Sequence, residues 1–395
     1  MFANFHHFVN KKNRWRLTIL YALGFILAIS AALPAYIQSN FLNQFVSLKT
    51  VGLFFMTANI LTVLAIIFFP NFIKQFTNYF AAKITLILYG AALLGLTLTT
   101  EPWLAFFSII LLSIMSNLIW INMDVLVESC SSDQATGRIR TIYFTFINLG
   151  WILAPSLSSY LIKIGDYTLT FLIAAGLVLP IFLIFVFQAR HLQDKIDYKN
   201  ISLLLALKKM WLNKNLRGIF FIALLLNIFY SAAVVYMPIY LHHNIGLGWD
   251  SLGLIFSFML IPFLLVEIPA GILADKYWGE KEIMAIGLII MAVALWLFFY
   301  IKSPLPLIWA LILFLSRIGA ALVEAMRETY FFKIIDAKDI SYINIFRTTA
   351  PLGYIIGPGL AILITLFWPL NYLFLFLAIL MIIGLASLTL IKDTK

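Results

Sequence analysis

Apolar runs of about 20 residues recur along the whole chain, broken by short polar turns. Each run is long enough to cross the ~30 Å hydrocarbon core of a bilayer as an α-helix, which satisfies its own backbone polar groups. The pattern predicts twelve spans, at about 15–38, 50–69, 81–100, 103–127, 139–163, 167–187, 217–241, 251–273, 282–301, 304–328, 341–366 and 369–391. One longer polar stretch, 188–216, separates six spans from six.

Composition sharpens the class. Hydrophobic residues make up 63% of the sequence and charged residues 11%, against roughly 45–50% and 25% in a soluble domain. The first run, from Trp15 to about Gln38, follows Lys11, Lys12 and Arg14 but is too long for a signal h-region, so it reads as an uncleaved span. Of the 27 Lys and Arg, Lys49, Lys163 and Lys302 fall in segments facing one side, Arg317 and Arg347 lie inside spans, and the rest gather on the side of the termini. This bias places both termini and the 188–216 loop in the cytoplasm, with the chain multi-pass in the plasma membrane. It also removes nucleic acid as a partner despite the net charge of +10, because the basic residues are spread over loops at one membrane face.

The chemistry of most enzymes is missing. A single cysteine, Cys130, allows no intrachain disulfide and no cysteine metal site. The histidines all lie outside the predicted spans, so no metal site is expected. No P-loop and no convergent catalytic set occurs, so neither a cofactor nor an enzymatic activity is expected.

The two groups of six spans are related. Pro34, Tyr36 and Asn40 recur as Pro238, Tyr240 and Asn244; Asp124 and Glu128 recur as Glu324 and Glu328; Gly150 and Pro155 recur as Gly353 and Pro358. The offsets stay near ~200 residues, the mark of an internal repeat. The predicted domains are therefore 1–187, a six-helix bundle; 188–216, a cytoplasmic linker; and 217–395, a second six-helix bundle. Within the linker, Ile201–Leu212 is apolar and basic with a Trp, which suits a helix lying on the inner leaflet; a solvated linker with some helix is the alternative.

Polar residues inside the spans carry the functional reading. Arg317 lies near the middle of span 10, where a charge costs several kcal/mol unless paired or wet. Its repeat partner is Asn117 in span 4, and span 7 offers Asn227 and Tyr230 at similar depth. These four are the substrate-binding candidates; a structural ion pair for Arg317 and helix–helix hydrogen bonds for the others are the alternatives. Glu267, Glu324 and Arg347 lie one to two turns from the cytoplasmic ends of their spans, at a depth that suits pairing or ion coupling.

The stretch Gly271-Ile-Leu-Ala-Asp275-Lys-Tyr-Trp-Gly279-Glu-Lys281 resembles the signature between the second and third helices of a half in the major facilitator superfamily of secondary transporters. Gly150–Pro155 and Gly353–Pro358 resemble that family's Gly-Pro pattern in helices 5 and 11, and Arg317-Ile-Gly resembles its arginine motif of helix 4. The first-half copy, Phe72–Phe80, lacks the two glycines and the aspartate, and Glu280 stands where a basic residue is common. The resemblance implies an all-α membrane protein of twelve transmembrane helices in two pseudo-symmetric bundles, with helices 1, 4, 7 and 10 lining a central cavity.

It also implies a transporter working by alternating access, for which a small-molecule substrate, a coupled proton or other ion, and the lipid bilayer are the expected partners. Export of an amphipathic or anionic compound is the favoured reading; uptake of a small polar nutrient and a transport-inactive receptor or scaffold are the alternatives. A monomer is expected. Glu267, Gly271, Asp275, Gly279, Lys281, Asp124, Glu128, Arg138, Glu324 and Arg347 are the gating and coupling candidates. Asp275 is expected to meet the start of helix 5, around Gly137–Thr141, where Arg138 and Arg140 add to the positive helix end.

Overall fold

The computed structural model describes residues 11–129, 136–188, 203–334 and 340–392. Among them the chain is helical throughout, with no strand. The helices are α1 (Lys11–Ala35), α2 (Gln38–Asn43), α3 (Leu48–Phe76), α4 (Asn78–Thr97), α5 (Pro102–Ser129), α6 (Thr136–Gln188), α7 (Leu203–Leu212), α8 (Lys214–Ser231), α9 (Met237–Ile239), α10 (Trp249–Lys276), α11 (Glu280–Tyr300), α12 (Pro306–Ile334), α13 (Ile340–Arg347), α14 (Thr349–Thr365) and α15 (Tyr372–Leu388).

Ten of the described segments are long and apolar enough to cross a membrane, and the shorter α15 is equally apolar. One of the ten, Ile142–Phe187, belongs to α6. A 46-residue helix would be about 70 Å long, over twice the hydrocarbon thickness. It breaks instead at Gly165 and Asp166, where Asp166 has φ 60. Spans 5 and 6 are the two arms of α6, and the predicted turn is this two-residue break. Span 11 combines α13 and α14. Large apolar side chains such as Phe68, Leu179, Leu254, Leu311 and Ile382 point outward, as a lipid solvent permits and water does not.

The helices form two compact units, Met1–Ile37 with Leu64–Ile196, and Gln38–Val63 with Asp197–Lys395. In the first, α1 packs along α6, and α4 packs on α5 and α6. A Cβ at Gly150 would lie 3.0 Å from the Phe25 carbonyl oxygen, so the glycine lets the α6 and α1 backbones touch. Ser30 and Ser158 donate to the carbonyls of Ala174 and Leu33 across the same seam. Asn78 donates to the Asn122 carbonyl and Asn122 to the Thr85 hydroxyl, tying the α4 entrance to α5. The turn between α3 and α4 is Thr77 alone, with φ 72.

The second unit repeats the seam. A Cβ at Gly353 would lie 2.6 Å from Asn227 Cβ, so α14 meets α8 as α6 meets α1. The Gly-Pro pattern of both halves thus marks a close helix crossing. The α11 and α12 backbones also touch, since a Cβ at Gly319 would lie 2.6 Å from the Gly287 carbonyl oxygen. The segment Gln38–Val63 packs in this unit, and a Cβ at Gly52 would lie 2.6 Å from the Tyr236 hydroxyl.

Span 7 is irregular: Ala232–Tyr236 and Tyr240–Asn244 are π-helical, on either side of α9. Pro238 lies between them and has no N–H to continue an α-helical ladder. In the linker, α7 carries exposed Leu207, Lys208, Lys209, Trp211 and Leu212, with Met210 buried beneath. Trp211 packs edge-on against Phe221 of α8.

Candidate functional site in the second unit

The site is built on α12. Arg317, Glu324 and Glu328 follow at spacings of seven and four residues, which stack them on one helical face. Arg317 and Glu324 are thus about 10 Å apart along the helix. Opposite them stand α8 with Tyr230, α10 with Glu267, and α13 with Arg347.

Arg317 is 1% exposed, and its Nε and Nη1 have no hydrogen-bond partner. No acid pairs with it among the described residues. Aromatic rings cover it instead: the guanidinium lies 5.0 Å from the Phe229 ring centre and 5.6 Å from that of Tyr230. Ring faces attract a cation, but each contributes only ~0.5–2 kcal/mol and accepts no conventional hydrogen bond. A buried guanidinium so placed remains short of an anion.

A chain of polar contacts begins next to it. The Tyr230 hydroxyl donates to Oε2 of Glu324 at 2.5 Å. Arg327 Nη2 lies 3.6 Å from Oε1 of Glu324 and 3.5 Å from Oε1 of Glu328. Arg347 Nη1 donates to that same Glu328 oxygen at 3.1 Å. Arg327 is buried, with its guanidinium 5.6 Å from the Phe346 ring centre. The sequence reading leaves Arg327 at the edge of an inner loop; in the structure α12 runs on to Ile334, and two carboxylates hold Arg327 inside. The spacing Glu-x-x-Arg-Glu was the available signal.

Glu267 is half-buried on α10, within electrostatic reach of the Glu324 and Glu328 carboxylates. It has no hydrogen bond or ion pair to a described residue. Phe263, one turn earlier on α10, packs its ring 6.4 Å from that of Tyr230. The structure therefore brings Arg317, Tyr230, Glu267, Glu324 and Arg347 into one polar stripe, joined by Arg327.

Other candidates lie elsewhere. Asn227 donates to the Ala223 carbonyl and the Thr349 hydroxyl, binding α8 to α14. Asn117, in the first unit, donates to the Ser113 carbonyl of its own helix. Asp124 is half-buried on α5. The side chains of Glu128, Arg138 and Asp275 lie outside the described residues. Among the described residues, a Cβ at Gly271 would meet nothing within 4 Å, so this signature glycine makes no close helix contact with them. Gly279 caps α11 with φ −82 and ψ 171, a conformation open to any residue. Lys281 donates to the Ile391 carbonyl at 3.4 Å, and the neighbouring Glu280, 1% exposed, pairs with Lys333 of α12. That pair joins α11 to α12 and gives Glu280 a structural role.

Comparison with known proteins agrees with this architecture. No curated protein sequence matches the chain. Among solved structures, a bacterial homologue of the human lysosomal transporter Spinster superposes in its inward-facing, unoccupied conformation with a TM-score of 0.72 at 13% identity, covering 96% of this chain and 95% of that one. The inward-facing, occupied conformation gives 0.74 at 13% identity, covering 96% and 97%. A sequence profile described as the Major Facilitator Superfamily matches residues 15–258 and 243–395. The chain belongs to the major facilitator superfamily.

Proposed function

We propose that this protein is a secondary active transporter that moves a small anionic, amphipathic solute by alternating access, with Arg317 as the anion-binding group. The observation that carries the reading is the Arg317 guanidinium, buried without an acid and with two nitrogens unpartnered. Phe229, Tyr230 and Phe263 add an apolar wall suited to a solute with a hydrophobic body. The structural likeness to an occupied transporter homologue supports transport over a scaffold role. Export across the plasma membrane is the direction proposed, with Asp124, Glu128, Arg138, Asp275 and Lys281 taking part in gating. The positive-inside distribution supports cytoplasmic termini; membrane-impermeant thiol labels should then reach cysteines at the exposed positions His243 and Lys302 from outside only.

The test is a thermal-shift screen of purified protein against organic anions, cations and neutral metabolites. Stabilising compounds should be mainly anions, and their effect should vanish in Arg317→Ala. Hits that are neutral or cationic and indifferent to Arg317 would overturn the reading. Flux of a hit into proteoliposomes then separates a transporter from a receptor.

A further inference from the structure

Apolar and basic side chains share the free surface of α7. Leu207, Lys208, Lys209, Trp211 and Leu212 are exposed, and Met210 is buried beneath them. We propose that α7 binds the surface of an anionic bilayer. Lys208, Lys209 and Lys214 hold lipid phosphodiester headgroups while Trp211 and Leu212 enter the leaflet beside α8.

Geometry sets this surface against lipid. Leu207 and Trp211 are four residues apart, as are Lys208 and Leu212, so three large apolar side chains and an ammonium share one helical face. Trp211 is 53% exposed, yet its ring also packs 5.8 Å from that of Phe221. Phe221 lies about 10 Å along α8 from Lys214, inside a segment long and apolar enough to cross the membrane. A ring alongside that level of a span has the membrane interface over its open face, and an indole is well suited to that layer. Two contacts fix the turn. Arg217 Nη1 donates to the Trp211 carbonyl at 3.4 Å, holding the end of α7 against α8. Asn213, between the helices, accepts from the N–H groups of Asn215 and Leu216 and so caps α8.

Charge selects the kind of lipid. The helix α7 contains no acid, and Lys208, Lys209 and Lys214 are exposed with no acid paired to them among the described residues. A lysine lays its methylenes on the apolar surface and lifts its ammonium to the depth of the phosphates. A zwitterionic headgroup brings its own cation to that phosphate, so its net attraction for the lysines is small. An anionic phosphodiester such as phosphatidylglycerol has no such cation, and each lysine near it strengthens binding roughly fivefold. The same helix packs on α13, which ends at Arg347, the partner of Glu328. Lipid held by α7 therefore steadies the adjoining ends of spans 7 and 11 in the second unit.

Full-length protein in detergent would be titrated with phosphatidylglycerol and with phosphatidylcholine, and bound lipid counted by native mass spectrometry. Wild type should prefer phosphatidylglycerol by about tenfold or more. In the combined variant Lys208→Gln, Lys209→Gln and Lys214→Gln that preference should fall at least about fivefold. The three lysines are exposed, so this variant folds as wild type does. Glycerol 3-phosphate should not displace the lipid; displacement would assign the lysines to a soluble anion and overturn the membrane reading. Depth is read without touching the lysines, by a nitroxide attached through Leu212→Cys with the single native cysteine removed by Cys130→Ser. In phosphatidylglycerol nanodiscs oxygen should reach the label and a water-soluble nickel chelate should not. Free access of the chelate, equal affinity for the two lipids, or an unchanged preference in the lysine variant would overturn the proposal.

Discussion

The Tyr230 hydroxyl donates to Glu324 at 2.5 Å while the ring of the same residue lies against Arg317. One side chain therefore touches both the cation that lacks an acid and one of the paired acids. Tyr230→Phe keeps the ring and removes the hydrogen bond to a charged acceptor, a loss of about 1.5–3 kcal/mol. Tyr230→Ala removes the ring as well and should cost more. Chemical denaturation of the two variants should rank them in that order. Equal stability of wild type and Tyr230→Phe would show that Glu324 is satisfied without Tyr230.

Arg317 predicts a conflict between stability and function. A buried charge that lacks its counter-ion carries a desolvation penalty of several kcal/mol, which an apolar side chain of similar length avoids. Arg317→Met should therefore melt at or above the temperature of ligand-free wild type. Anionic ligands should stabilise wild type and leave the variant unchanged. A variant that melts well below wild type would mean that the guanidinium has a structural partner.

Much of this arrangement was legible in the sequence. A charge inside an apolar run stands out, so Arg317, Glu267 and Arg347 were visible, and the repeat gave Glu324 and Glu328. Arg327 was hidden because apolar patterning fades near the end of α12; only the pairing with two carboxylates draws it inside. The π-helical turns of span 7 were also hidden, since Pro238 announces an irregularity but not which hydrogen-bond register absorbs it. Sequence could not rank the glycines either, because a small residue matters only where another backbone arrives.

That last distinction can be measured. Gly271 sits in α10 with open space where a Cβ would go, whereas a Cβ at Gly319 would lie 2.6 Å from a backbone oxygen of α11. Gly271→Ala should be neutral or stabilising by up to ~1 kcal/mol, through helix propensity and a less free unfolded chain. Gly319→Ala should destabilise by about 1–3 kcal/mol, because two helices must separate. Melting temperatures should move in opposite directions or diverge clearly; equal shifts would show that the α11–α12 crossing is loose.

The Glu280–Lys333 pair is unequal, and that inequality predicts which partner matters more. Glu280 is almost wholly buried at the first residue of α11, while the Lys333 side chain is 42% exposed. In Glu280→Ala the lysine is left able to hydrate its ammonium, so the cost is the pair itself, screened by water. In Lys333→Ala a buried carboxylate loses this cation, and the helix N-terminus returns only ~0.3–1 kcal/mol. Removing the cation from beside a buried carboxylate is the costlier way to break such a pair. Lys333→Ala should therefore destabilise more than Glu280→Ala, and Lys333→Arg should recover most of the loss. Because α11, α12 and the end of α15 meet here through Glu280, Lys281 and Tyr330, hydrogen exchange should rise at the Ile391 end of the chain in Lys333→Ala. A larger loss in Glu280→Ala, or no change in exchange near Ile391, would show that the pair only decorates the surface.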